Sequence, residues 1–281
     1  GVRPAAAPPP RSTGARVITA IVAVLLIAGT VTLYLVIAHA HPVTDPDDLA
    51  GILSSYAGMG LLVCLVFAIL SGPIIRGLVR LIRALPFAGT AGFLASREAS
   101  ARPRLTQALV VPITLAAAAV GMKAAWINEL TTVMAAQAGS EEKVNAPPRQ
   151  MALLLGGPVT VACVCASAIV FATASHRRAN NALLLVSGVT PGVIRARALV
   201  EAGIHAVICL VCAYGIVVVN DVSMVKALSA GPVPSVPILA PGWQAAGVVA
   251  VGIALTLLLL LAVTADGMRR NPVTTITGGH Q

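Results

Sequence analysis

Six stretches of the chain are apolar over about the 20 residues that a helix needs to cross hydrocarbon. They are Val17 to Ala38, Leu49 to Leu70, Leu105 to Met122, Met151 to Ala174, Leu199 to Val219 and Trp243 to Ala265, with polar and charged residues gathered between them. Lipid offers the backbone no water, so such runs must satisfy their own hydrogen bonds as helices. Gly156, Gly157 and Pro158 interrupt the fourth run and Gly203 the fifth, while Pro112 predicts a kink in the third. Membrane helices tolerate these residues better than soluble ones do. Val2 to Arg16, rich in Ala, Pro and Arg, reads as a flexible tail or linker. The run after it is longer than a usual signal-peptide core and has no clear cleavage site. The expected fold is an all-α polytopic membrane protein with six transmembrane helices.

Composition removes the soluble alternative. Of 281 residues, 57% are hydrophobic and 10% charged, where a soluble domain carries charge on about a quarter of its residues. The formal net charge is +9, and its distribution says why. Arg3, Arg11 and Arg16 precede the first run. Arg76, Arg80, Arg83, Arg97, Arg102 and Arg104 lie between the second and third. Arg177, Arg178, Arg195 and Arg197 lie between the fourth and fifth, and Arg269 and Arg270 follow the sixth. Fifteen of the nineteen basic residues thus fall on one side of the predicted membrane. Lys123, Lys143, Arg149 and Lys226 fall on the other, with Asp45, Asp47, Asp48, Glu129, Glu141, Glu142 and Asp221. By the positive-inside rule both termini are expected in the cytoplasm and the chain in the cell membrane. The basic excess then requires no nucleic acid, and no aromatic-and-basic nucleic-acid motif accompanies it. Trp126 and Trp243 fall near the predicted outer interface, where indoles gather.

Two cytoplasmic segments are more than loops. Pro73 to Pro86 reads PIIRGLVRLIRALP, and the spacing of Arg76, Arg80 and Arg83 puts three guanidinium groups on one helical stripe. Such a helix is expected in the headgroup plane, as an anchor for the preceding span or as a partner contact. His176 to Glu201 predicts a short amphipathic helix to Ser187, a turn at Gly188-Val189-Thr190-Pro191, and a helix entering the membrane. Thr190 is a capping residue, and Pro191 at the first helical position lacks the N–H that would be orphaned there.

These residues resemble the coupling elbow of the FtsX-like permease family, the membrane subunits of MacB-type ABC transporters. The resemblance rests on Arg177 and Arg178, Ala182-Leu183-Leu184, Gly188-Val189-Thr190 with Pro191, Arg195 and Arg197, and Glu201-Ala202. A second stretch, Phe93-Leu94-Ala95-Ser96-Arg97-Glu98 with Ala101-Arg102-Pro103-Arg104-Leu105-Thr106, is similar to the basic elbow that leads into the family's first span. The resemblance implies a four-helix permease module over 91–270. A two-helix hairpin with its interfacial helix over 17–90, and tails over 1–16 and 271–281, complete the expected organisation. It also implies a separate ABC ATPase subunit, a second permease module (a homodimer or a missing half), and a chain that is the C-terminal part of a ten-helix permease or a half-size relative. The initial Gly, with Met59 the first methionine, carries the same expectation of a processed or longer protein. The family's function is ATP-driven export or extraction of an apolar or amphipathic substrate, or force transmission. The alternative is a scaffold that regulates an extracytoplasmic partner such as a cell-wall hydrolase. The chain departs from the pattern at Asn180 and Leu185, where the family carries an acidic and a basic residue. Lys123 to Gln150 is too short for MacB's folded outer domain.

No catalytic motif is legible. No Gly precedes a Lys, so no P-loop exists, and ATP and Mg are expected only in a partner. Neither G-x-S-x-G nor H-E-x-x-H occurs. Glu201, His205, Cys209 and Cys212 share one helical face, but about 16 Å separates the ends of that row, too far for one metal ion. Packing and redox or metal work both remain for the cysteines. His205 is read as a packing residue or a proton relay, and Glu201 as a rim residue paired with Arg197 or as one with a mechanical or substrate role. The aspartates at 45, 47 and 48 form a solvated acidic loop without a calcium-loop glycine.

Overall fold

The computed structural model describes residues 13–38, 46–84, 90–101, 103–138, 148–229 and 243–269. Arg102, most of the predicted N-terminal tail, all of the predicted C-terminal tail, and much of the predicted outer segments lie outside the described residues. The described residues form seven helices: α1 Thr13–Ala38, α2 Pro46–Ala84, α3 Thr90–Ala101, α4 Pro103–Ala138, α5 Pro148–Val186, α6 Pro191–Ser229 and α7 Trp243–Arg269. Five are long and apolar enough to cross a membrane, through Val17–Val36, Ser55–Ile82, Pro103–Ile127, Pro191–Val222 and Ala245–Ala265. A sixth crossing results when the two limbs of α5, Val159–Ser175 and Arg177–Val186, are taken as one span bent by 46°. The chain is an all-α, multi-pass membrane protein.

The expectation of a separate interfacial helix after the second span needs correction. The segment from Pro73 onward is the C-terminal part of α2, which runs unbroken to Ala84 with Pro73 inside it. The physical reason is a buried stripe at every fourth residue, Met59, Val63, Phe67, Ser71, Ile75 and Val79, which continues across the proline. One lost backbone bond at Pro73 is small against that continuous packing ridge. Arg76 and Arg80 lie on the exposed side of the same turns.

Helices α4 and α6 form the centre. The main core joins Val110, Ile113, Ala117 and Ala118 of α4 to Ile204, Ile208, Cys209, Ala213 and Ile216 of α6, with the α2 stripe, Ala95 of α3 and Val249 of α7 around them. Small residues set the spacing, as expected where dispersion rather than hydrophobicity drives association. A Cβ on Gly252 would come within 3.1 Å of Ile113, so α7 approaches α4 by having no side chain there. A second cluster of Leu109, Val170, Ala174, Leu260 and Val263 ties α4, α5 and α7 together. Helix α1 leans on α2 and α6 from outside, and Ala23 is the buried residue on it among those described.

Cross-helix contacts show that the spans alternate in direction. Gly72 of α2 lies beside Gln107 of α4, whereas Tyr56 lies beside Met122. Cys209 of α6 meets Val110, and Arg177 of α5 meets Glu201. One end of the bundle therefore collects the start of α1, the end of α2, the starts of α4 and α6, and the bend of α5.

Candidate functional site: an elbow and its buried ion pair

The elbow is built by local chemistry. After the α5 bend, the second limb ends in a Schellman turn. Val189 N–H donates to Leu184 O and Gly188 N–H to Leu185 O, each at 3.0 Å. Gly188 has φ +87°, the left-handed conformation that such a turn demands and that glycine adopts without strain. Thr190 then opens α6: its carbonyl accepts from Val193 (3.1 Å) and Ile194 (3.3 Å). Pro191 takes the first helical position, as the sequence predicts.

An ion pair fastens the elbow to the bundle. Arg177 Nη1 and Nη2 donate to Glu201 Oε2 and Oε1 at 3.0 and 2.7 Å, a bidentate fork between α5 and α6. The two side chains are 11% and 5% exposed. The sequence pairs Glu201 with Arg197 instead. An Arg four residues ahead of a Glu is the weaker order on a helix, and the second limb of α5 brings a guanidinium to the carboxylate in planar register. Arg197 is itself buried and within electrostatic reach of Glu201. Arg177, Asn181, Arg197, Glu201 and Thr264 line one small cavity at this rim.

The remaining predicted elbow residues divide by exposure. Leu183 and Val186 are 56% and 69% exposed, and Gly188, Thr190, Pro191 and Arg195 are exposed with them. Ala182 is buried, whereas Arg178, Asn180, Leu184 and Leu185 are half-buried. The first elbow forms α3, which packs through Ala95 and Ser96 against α6 and α2. Its Arg97 is exposed and sits 5.7 Å above the Phe93 ring. Arg104 is exposed at the start of α4; Arg83 belongs to the last turn of α2, its side chain outside the described residues.

The row Glu201, His205, Cys209 and Cys212 is buried throughout. Cys209 Sγ lies 3.8 Å from Val110 O, and neither ring nitrogen of His205 meets a hydrogen-bond partner among the described residues. No group of three or more His, Cys, Asp or Glu among the described residues has metal-holding geometry. At the opposite end, Tyr56 Oη donates to Asp221 Oδ1 at 2.9 Å and lies 3.2 Å from Met122 O. Asp221, counted in the sequence among the acids of the outer side, is wholly buried. Its place at the end of the apolar run from Gly215 to Val219 is the signal that sequence reasoning passed over. Lys123 caps this end with its ammonium 3.8 Å from the Trp126 ring centroid.

Compared with family models, curated proteins and solved structures, the chain matches none.

Proposed function

We propose that this chain is the membrane subunit of an ABC transporter, driven by a separate ATPase that docks on the exposed tip from Leu183 to Arg195. ATP and Mg would be held by that partner. The work is export or extraction of an apolar or amphipathic molecule, or transmission of force across the membrane. The observation that carries the reading is the elbow itself. A rigid, capped helix–turn–helix presents apolar and basic side chains at its tip, while its base is clamped by Arg177 and Glu201 to α6, the helix at the centre of the bundle. A push on the tip is thereby delivered to the core instead of being absorbed in a loop. The two polar elbows also meet, because α3 packs on α6.

Copurification from native membranes, with crosslinking, tests the proposal. Tagged chain should recover a P-loop ATPase. Leu183→Asp with Arg195→Glu should cut its retention about tenfold or more, since these are exposed contact residues. Arg195 is suited to charge reversal, whereas Arg197 is buried and its reversal would damage the fold. Absence of any ATPase, or retention and ATP hydrolysis unaffected by both substitutions, rejects the reading.

A further inference from the structure

A groove of about 490 Å³ opens between α1, the end of α2 and the start of α4, within the roughly 300–1,000 Å³ range of ligand sites. It exists because α1 leans on α2 and α6 and leaves a gap toward α4. Its apolar wall includes Ala20 and Ala23 of α1 and Ile69 and Pro73 of α2, and Arg76 and Arg104 stand at the rim. No acidic side chain lines it among the described residues. Gln107, part of the lining, is engaged behind the groove: its Nε2 donates to the buried Ser71 Oγ at 2.8 Å, and Ser71 Oγ to Ala68 O at 2.8 Å. The guanidinium groups differ. Arg76 Nε donates to Gly72 O at 3.0 Å, which holds the group against the groove while its Nη atoms carry four further N–H donors.

We infer that this groove is a binding site for one anionic phospholipid, its phosphate held between Arg76 and Arg104 and its acyl chain laid along Ala20 and Ala23. Two cations from different helices converge on a slot whose other walls are hydrocarbon. A free anion would leave those walls uncovered, and a neutral amphiphile would leave the cations uncompensated. Basic pockets between membrane helices select anionic headgroups for this reason. The lipid would act as a wedge joining α1 to α4. The inference does not depend on the transporter reading.

The test uses the full chain in detergent, with phosphatidylglycerol, phosphatidylcholine of the same acyl chains, and inorganic phosphate as separate probes. Native mass spectrometry and lipid titration give the readouts. Phosphatidylglycerol should be retained by the wild type, and Arg76→Gln/Arg104→Gln should bind it about 30-fold more weakly. The charge-matched variant Arg80→Gln/Arg195→Gln should bind it as the wild type does. Ala20→Trp, which narrows the slot without touching either cation, should also weaken it, and serves if the double variant does not fold. Equal loss in the charge-matched variant, equally tight phosphatidylcholine, or full competition by millimolar phosphate each overturns the assignment. The first means diffuse electrostatics, the second acyl filling alone, and the third a site for the free ion.

Discussion

A carboxylate only 5% exposed stands beside the buried Arg197 and the partly buried Arg177, and the count of charges decides how each substitution behaves. Removing Arg177 leaves Glu201 with Arg197 still in reach. Removing Glu201 takes the bidentate partner from Arg177 and the neighbouring negative charge from the buried Arg197. Breaking a buried pair costs about 3–5 kcal/mol when the survivor has no other partner. Glu201→Gln is therefore expected at or above that range and Arg177→Gln below it. Thermal unfolding of the two variants in one detergent measures the order. If Arg177→Gln is the more damaging, Arg197 does not share the carboxylate. His205, one turn deeper, adds no hydrogen bond to this arrangement, so the stability of the rim falls on the carboxylate.

Elements were legible where their boundaries depend on a few local residues and illegible where packing decides. Gly188, Thr190 and Pro191 mark the elbow because each has one physical role there: left-handed backbone, helix start, first-turn proline. Gly188→Val should destabilise the elbow by more than the roughly 1–2 kcal/mol of an ordinary left-handed residue, and Gly188→Asn by much less. Unfolding midpoints and limited proteolysis between Val186 and Thr190 read the difference, and equal behaviour of the two variants would remove the Schellman turn from the account. Pro73 misled because a proline reads as a boundary, while the fourfold stripe from Met59 to Val79 that overrides it spans two nominal segments. The α5 bend falls where the predicted span ends at Ala174 and the predicted amphipathic helix begins at His176, marked by the change from apolar to basic residues and not by Pro or Gly. The Arg177–Glu201 fork was hidden. Its partners are 24 residues apart on separate helices, and only the bend brings them into register.

At the scale of the molecule, the alternation of spans gathers the arginine-rich segments at one end, and the positive-inside rule gives the side that end is expected to face. Arginine is retained on the cytoplasmic side during insertion, so the bias in the flanking charges orients the bundle as a unit. The elbow, α3, and the rim formed by Arg76 and Arg104 are then expected to face the cytoplasm, and Tyr56, Asp221 and Lys123 the outer leaflet. Native cysteines at 64, 163, 165, 209 and 212 are buried or half-buried within the apolar helices, out of reach of a membrane-impermeant maleimide, so introduced thiols can be read against them. Ser187→Cys at the elbow and Ala101→Cys at the end of α3 should label in inside-out vesicles and stay silent in intact cells. Ser140→Cys, between α4 and α5, should do the reverse. Labelling of Ser187→Cys from outside would invert the bundle and place the elbow beyond the reach of any cytoplasmic ATPase. Labelling of Ser187→Cys and Ser140→Cys from the same side would mean that α5, the one span made of two limbs, turns back instead of crossing.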